Sequence, residues 1–232
     1  MYIVNSTLLG YSKWTTKGVF TLVDAFDYKT WKEELWNAIT HGIGLLASIP
    51  ALIILVLTAV QNGSALYVTT FSIFGTSVII LFLMSTLLHS MPEKYKKFFA
   101  ILDHSSIYIL IAGTYTPFLL IAIGGTLGIT LLCIIWTLAL IGVVFKCLFI
   151  NRFEILSLIF YIGMGWLIIF AIKPIYYFLG SHGFAFLLAG GLFYTIGAIF
   201  YAWRSLPYNH MIWHLFVLAG CSSMYACVYL YL

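Results

Sequence analysis

Charged residues are scarce in this chain. Of its 232 residues, 11 are lysine or arginine and 7 are aspartate or glutamate, which is 8% of the sequence, whereas about 25% is usual for a soluble domain. A soluble protein of this size could not cover its surface with so few charges, so the composition excludes an ordinary soluble enzyme and a disordered chain. The net charge of +4 forms no basic patch, and we expect no nucleic-acid partner.

Cysteine is also rare, and the sequence contains no pair of cysteines separated by two residues. All four cysteines lie within apolar stretches, which favours thiols packed in the protein or against lipid over a disulfide framework. They are Cys133, Cys147, Cys221 and Cys227. The first 35 residues hold no apolar core of the length that a cleavable signal peptide needs, so we expect none.

Long apolar runs dominate what is present. Hydrophobic residues make up 63% of the chain and the mean hydropathy is +1.07, and a membrane-spanning helix needs about 20 apolar residues. Seven runs of suitable length, none containing a charged residue, are separated by turn-forming residues. They cover residues 37–60, 66–90, 104–123, 127–145, 155–172, 184–203 and 210–231. Lys173 and Pro174 separate the fifth run from the sixth. The sequence predicts an all-α membrane protein, a seven-helix transmembrane bundle over residues 37–232 preceded by a cytoplasmic segment of residues 1–36.

The positive charges indicate the orientation of the bundle. With seven spans, ten of the eleven basic residues fall on the side of the N-terminus and Lys173 alone falls on the other. Cytoplasmic loops are enriched in lysine and arginine, so we expect the N-terminus in the cytoplasm and the C-terminus outside, in a multi-pass protein of the cell membrane. The ten are Lys13, Lys17, Lys29, Lys32, Lys94, Lys96, Lys97, Lys146, Arg152 and Arg204.

Several residues with metal-binding or acid–base chemistry fall at the cytoplasmic ends of these spans. His210 and His214 open the seventh span and share a helix face, because they are four residues apart. Ser85 and His89 share a face in the same way at the end of the second span, and Asp103 opens the third. Three histidines with one open position are typical of a catalytic zinc site, and a carboxylate such as Asp103 orients ligands or water there. The alternative is a set of polar side chains at helix ends that contact water.

The remaining histidines give weaker indications. Glu33, Asn37 and His41 form a stripe at four-residue spacing that would face the same site, or would serve only as a hydrated helix entry. His104, next to Asp103 but about 100° around a helix from it, is expected to be a structural polar residue. His182 falls in an outer loop and is expected to be solvated.

Together these motifs resemble the bacterial hemolysin III family, the prokaryotic branch of the progestin and adipoQ receptor proteins, which is related to the alkaline ceramidases. The resemblance spans residues 33–232. It rests on Glu34, Asn37, Thr40, His41 and Gly42, on Ser85 and His89, on Asp103 and His104, on IAGTYTPF at residues 111–118, and on Pro207, Tyr208, Asn209, His210, Trp213 and His214.

The resemblance implies a seven-helix bundle that binds Zn²⁺ near its cytoplasmic side. His89, His210 and His214 would be the ligands, Asp103 would hold the water on the zinc, and Ser85 would be its polar neighbour. Glu34, Asn37 and His41 would support the site from the first span.

Three functions are compatible with this arrangement. The first is a zinc-dependent hydrolase of a lipid amide or ester, ceramidase-like, with Asp103 as general base and Ser85 orienting the water, and with membrane lipids as its surroundings and substrates. The second is a receptor-like or membrane-homeostasis protein with structural zinc, whose N-terminal segment would meet a cytoplasmic partner. The third is a pore-forming cytolysin, for which the spans offer no charged stripe.

Overall fold

A computed structural model describes residues 20–61, 63–150 and 152–232, and every regular element in these ranges is helical. A π-helical turn at Phe118–Ile123 extends α3, and a 3₁₀ segment at Trp166–Ala171 joins α5 to α6. The α-helices are α1 (Phe20–Gln61), α2 (Ala65–Ser90), α3 (Glu93–Pro117), α4 (Gly125–Phe149), α5 (Glu154–Gly165), α6 (Ile172–Ala202) and α7 (Asn209–Tyr231).

Six helical segments within the described residues are long and apolar enough to cross a membrane. Their outward faces carry large apolar side chains, such as Leu46 and Phe170, each 72% exposed. Such faces suit lipid, because the bilayer core offers no hydrogen bonds and helices satisfy their own backbone groups. The predicted helical membrane protein is therefore confirmed at this level. The segments are Trp31–Gln61, Ala65–Ser90, Glu93–Ile123, Gly125–Phe149, Glu154–Ala202 and Asn209–Tyr231.

The segment Glu154–Ala202 differs from the prediction in where it is interrupted. The sequence predicts an interruption between residues 172 and 184, and the break falls inside that gap, but its assignment to Lys173 and Pro174 is wrong because both lie in the first turn of α6. Proline is tolerated there because its missing N–H would have no partner within the helix. The backbone instead leaves helical geometry at Gly180, with φ 66° and ψ −177°, a conformation that glycine alone adopts readily.

Helix α1 begins before the predicted boundary of the membrane domain. It runs from Phe20 to Gln61 without interruption at residue 36. Residues 1–19 of the predicted N-terminal segment lie outside the described residues, and the cytoplasmic placement of residues 1–36 stays a prediction.

The interior of the bundle is centred on α2 and α3. Phe71, Phe74 and Leu81 of α2 are almost fully buried in a core shared with α1, α3, α6 and α7. At Gly113 the backbone of α3 comes so close to α2 that an added Cβ would lie 2.6 Å from Cβ of Ser77. This close approach packs α3 directly against α2, the two helices that carry Asp103 and His89.

Candidate metal centre

The three histidines predicted as ligands converge at one end of the bundle. His89 lies in the last turn of α2, whereas His210 and His214 lie in the first turns of α7. Their ligand nitrogens all fall within 4.8 Å of one another. The Nε2 atoms of His89 and His210 are 3.2 Å apart, close to the ~3.3 Å expected between two ligands of a tetrahedral zinc with Zn–N bonds of about 2.0–2.1 Å.

The ring of His89 is oriented by a carboxylate from α1. Nδ1 of His89 lies 3.0 Å from Oε2 of Glu34, and Nζ of Lys96 lies 2.5 Å from the same oxygen. Because an ionised carboxylate only accepts hydrogen bonds, Nδ1 of His89 donates and carries the ring proton. Its Nε2 is then left with a free lone pair directed at the other two histidines.

A second contact from α1 orients His214. Nδ1 of His214 lies 3.2 Å from the backbone oxygen of Asn37 and 3.2 Å from Oγ1 of Thr40. A backbone carbonyl can only accept, so Nδ1 again carries the proton and Nε2 is the nitrogen available to a metal. Outward hydrogen bonds from Nδ1 to carboxylates or carbonyls are what metal-binding histidines usually make.

The distance between the facing Nε2 atoms of His89 and His210 bears on whether a metal ion fits between them. The separation of these two nitrogens fits either a proton shared between the rings or a metal ion bound by both of them. Ring centroids 4.5–5.2 Å apart keep all three imidazoles turned toward a common point. Three imidazoles, two of them held at Nδ1 by partners on α1, suit zinc and other first-row divalent ions.

His41 and Asn37 lie directly behind the histidine cluster. The ring of His41 stacks on that of His214 with centroids 3.5 Å apart, and it is 3% exposed. Neither nitrogen of His41 has a hydrogen-bond partner, and the side-chain oxygen of Asn37 also lacks one. All three residues predicted to support the site from the first span, Glu34, Asn37 and His41, are thus placed against it.

Asp103 and Ser85 lie beside the histidines and face the same cavity. Both side chains are buried, and the hydroxyl of Ser85 has no hydrogen-bond partner. Asp103, Ser85, His210 and His214 all line this cavity. His104 also reaches its wall, but its Nδ1 lies 2.7 Å from the backbone oxygen of Ala100, so its ring has a local partner in its own helix.

The cavity is polar at the histidine end and apolar beyond it. Along α7 it extends from His210 to Met224, about 21 Å at 1.5 Å per residue. Its deeper walls are mainly apolar and aromatic side chains of α3, α5, α6 and α7, among them Ile111, Leu158 and Val217. A long apolar cavity with a few convergent polar groups at one end suits a molecule with an acyl chain and a polar head.

Three polar residues of this region were missed as site residues. The sequence shows Thr40 only as part of a motif, although its hydroxyl contacts His214. Lys96 and Lys146 were counted only as cations flanking the spans, but Lys96 bonds to Glu34 and Lys146 is buried in α4 at the cavity wall. Helix spacing gives no sign of the contacts of Thr40 and Lys96, because each joins residues from different helices, nor of the inward direction of Lys146.

Comparison with known proteins agrees with this architecture. The family model described as "Haemolysin-III related" matches residues 29–225. "Hemolysin-3" from Bacillus cereus is 59% identical over 201 residues, 86% of this chain and 92% of that protein. "Hemolysin-3 homolog" from Bacillus subtilis (strain 168) is 55% identical over 203 residues, 87% of this chain and 95% of that protein.

A more distant relative extends the comparison beyond bacteria. "Monocyte to macrophage differentiation factor" from Homo sapiens is 29% identical over 167 residues, which is 69% of each chain. The region matched by the family model takes in the helices that carry the histidines, since it runs from α1 into α7. The family resemblance inferred from the motifs is thereby confirmed, and the chain belongs to the haemolysin III family of multi-pass cell-membrane proteins.

Proposed function

We propose that this protein is a zinc-dependent hydrolase of a lipid amide or ester. The observation that carries the proposal is the convergence of three imidazoles at the polar end of an apolar cavity that also contains a buried carboxylate. A receptor would need the metal but not Asp103 in the same cavity. A hydrolase needs both, together with a cavity able to hold an acyl chain.

In this proposal His89, His210 and His214 bind zinc through Nε2. When bound, zinc acts as a Lewis acid and makes a water molecule acidic enough to react near neutral pH. Glu34 keeps His89 in the required tautomer, and the carbonyl of Asn37 with the hydroxyl of Thr40 does so for His214. Lys96 fixes the carboxylate of Glu34 in turn.

Asp103 is the general base and Ser85 its polar neighbour. The carboxylate of Asp103 accepts a proton from the attacking water and later delivers it to the leaving nitrogen or oxygen of the lipid. The unpartnered hydroxyl of Ser85 orients the water or donates to the developing oxyanion. The apolar walls hold the acyl chain and exclude bulk water from the reacting bond.

We also propose that the chain crosses the membrane seven times. A continuous helix of 49 residues would be about 74 Å long, more than twice the ~30 Å hydrocarbon core. Division at Gly180 yields residues 154–179 and 181–202, each long enough for one crossing. In this proposal the N-terminus and the histidine site lie on the cytoplasmic side and the C-terminus lies outside, which the distribution of basic residues supports.

The test is replacement of Asp103 by Asn in purified full-length protein reconstituted with zinc. Candidate substrates are acyl amides and acyl esters of matched chain length. We expect the variant to keep its metal and to lose about 10²–10⁴-fold in hydrolysis, the usual contribution of a general base. Glu93→Gln, which removes an exposed carboxylate at the start of α3, is the control and should hydrolyse like wild type.

Two outcomes would count against the hydrolase. Unchanged hydrolysis in the Asp103→Asn variant would remove Asp103 as the base. Zinc bound at the histidines without turnover of any acyl amide or ester would favour the receptor-like or membrane-homeostasis alternative with structural zinc. A stable complex with a cytoplasmic protein captured through residues 1–36 would then support that alternative.

Membrane lysis is the second candidate, because a relative 59% identical to this chain is named "Hemolysin-3". Single-channel recordings from purified wild type and the His210→Ala variant in planar bilayers distinguish membrane lysis from lipid hydrolysis. Discrete single-channel conductances from the wild type would support a pore. Their absence, together with hydrolysis, would leave the hydrolase.

A further inference from the structure

Lys146 is a buried cation in the wall of the cavity. Its side chain is 1% exposed, although it lies in the last turn of α4, an otherwise apolar helix. Lysines near the ends of membrane helices usually extend their ammonium groups outward to the lipid head groups. Lys94 and Lys97 are exposed at the same side of the bundle, whereas Lys146 points inward.

No side chain among the described residues forms a hydrogen bond or ion pair with Lys146. Glu154, which lines the same cavity, is the acidic residue that interacts electrostatically with Lys146. However, the carboxylate of Glu154 forms a salt bridge with Arg204. The side chain of Lys146 therefore has no close anionic partner within the described residues, and it lines a cavity that an anionic group could enter.

The position of Lys146 in the cavity defines what such an anion would belong to. Lys146, Ser157 and Tyr161 form part of the wall made by α4 and α5, while His210 and His214 lie in the wall made by α7. A molecule whose scissile bond faces the histidines therefore also meets the α4–α5 wall. The apolar remainder of the cavity leaves room for its acyl chain.

We propose that Lys146 binds the anionic head group of the substrate, so that the substrate class is an acyl lipid carrying a carboxylate or a phosphate. In calling the ligand a substrate, this proposal rests on the proposed hydrolase function. Binding of the anion itself does not require hydrolysis. Carboxylate and phosphate share the chemistry that an ammonium recognises, a charge-assisted hydrogen bond.

Three probes that share a sixteen-carbon chain test the proposal on full-length protein in nanodiscs of zwitterionic lipid. N-palmitoylglycine carries a carboxylate, N-palmitoylethanolamine is a neutral amide of similar size, and hexadecyl phosphate has no amide. We expect wild type to bind at least one anionic probe about tenfold or more tightly than the neutral amide, as one charge-assisted hydrogen bond would give. The anion that binds more tightly distinguishes a carboxylate lipid from a phosphate lipid.

Two substitutions assign the preference to Lys146. Lys146→Met should abolish it without lowering the melting temperature of the ligand-free protein, because it removes an unpaired buried charge. Lys146→Arg should keep most of it, and Lys97→Met, at an exposed lysine, should keep all of it. The same measurement on the His210→Ala variant should show the preference intact, which separates it from anion binding by zinc.

The outcomes separate this inference from the proposed hydrolase. Anion preference that depends on Lys146, in a protein that hydrolyses neither these amides nor the acyl esters of matched chain length, would overturn the hydrolase and leave the anion site. Hydrolysis of both amides with equal kcat/KM, and equal affinity for all three probes, would overturn the anion site and leave the hydrolase. Retention of the preference in Lys146→Met would also overturn it.

Discussion

Glu34 is the residue whose role depends most directly on the geometry of single atoms. It accepts a hydrogen bond from Nδ1 of His89 and so leaves Nε2 free for a metal. We expect Glu34→Gln to weaken zinc affinity about 10–100-fold, the usual effect of losing such a partner. The amide can accept from Nδ1 only if its oxygen faces the ring, and it carries no charge to hold the tautomer.

Zinc affinity of the purified protein, measured by competition with a chelating dye, checks this prediction. Glu93→Gln is the control, since Glu93 is exposed and makes no hydrogen bond to the three histidines. Equal affinities for wild type, Glu34→Gln and Glu93→Gln would show that His89 does not depend on Glu34.

For single residues, the sequence predicts which side chains belong to the site better than it predicts which side chains they contact. His210 and His214 could be paired because a single helix fixes their spacing. Lys96 and Thr40 could not, because the contacts to Glu34 and His214 depend on how α1, α3 and α7 lie against one another. Lys146 was placed with the flanking cations because sequence shows the charge of a residue and not the direction of its side chain.

Among the elements, the contact of α2 with α3 determines how His89 and Asp103 lie relative to each other. A Cβ on Gly113 would lie 2.6 Å from Cβ of Ser77, near the backbone of α2 where little can move. We therefore expect Gly113→Ala to lower the free energy of unfolding by about 1–3 kcal/mol through overpacking. Gly163→Ala on α5, where a Cβ meets nothing within 4 Å, should instead raise it by about 0.4–1 kcal/mol.

Thermal unfolding of the two variants in the same detergent is the measurement. Opposite shifts are the expected result, because the two glycines differ in the space around them and not in their helical backbone. A gain in melting temperature for both would contradict the close packing of α2 and α3 at Gly113.

Element boundaries illustrate a second limit of the sequence. Apolar runs identified every described membrane segment, since length and composition alone decide whether a helix can span a bilayer. They bracket the interruption within Glu154–Ala202 but assign it to the wrong residues, because Pro174 in a first turn leaves no helical hydrogen bond unmade. The break lies at Gly180 instead, and the apolar sequence around a single glycine does not identify it as the point where a helix is interrupted.

For the whole molecule, a sevenfold crossing predicts which residues a reagent can reach from each side. His182 follows the break at Gly180 and should face the exterior, whereas Lys97 at the start of α3 should face the cytoplasm. We expect a membrane-impermeant maleimide to label His182→Cys in intact cells and to label Lys97→Cys only after the membrane is opened. Three crossings separate the two positions, namely α3, α4 and residues 154–179, and an odd number of crossings puts them on opposite sides.

Wild type, with its four native cysteines, provides the labelling background. Labelling of both engineered cysteines from the same side would contradict the division of Glu154–Ala202 into two crossings. It would also leave the C-terminus and N-terminus on one side of the membrane.

The central claim is that His89, His210 and His214 bind one zinc ion. Metal content of purified wild type and of the three single alanine variants, measured by elemental mass spectrometry, tests it most directly. The account predicts about one zinc per chain in wild type and its loss in each variant. A folded wild type that takes up no metal after reconstitution with zinc would contradict the account.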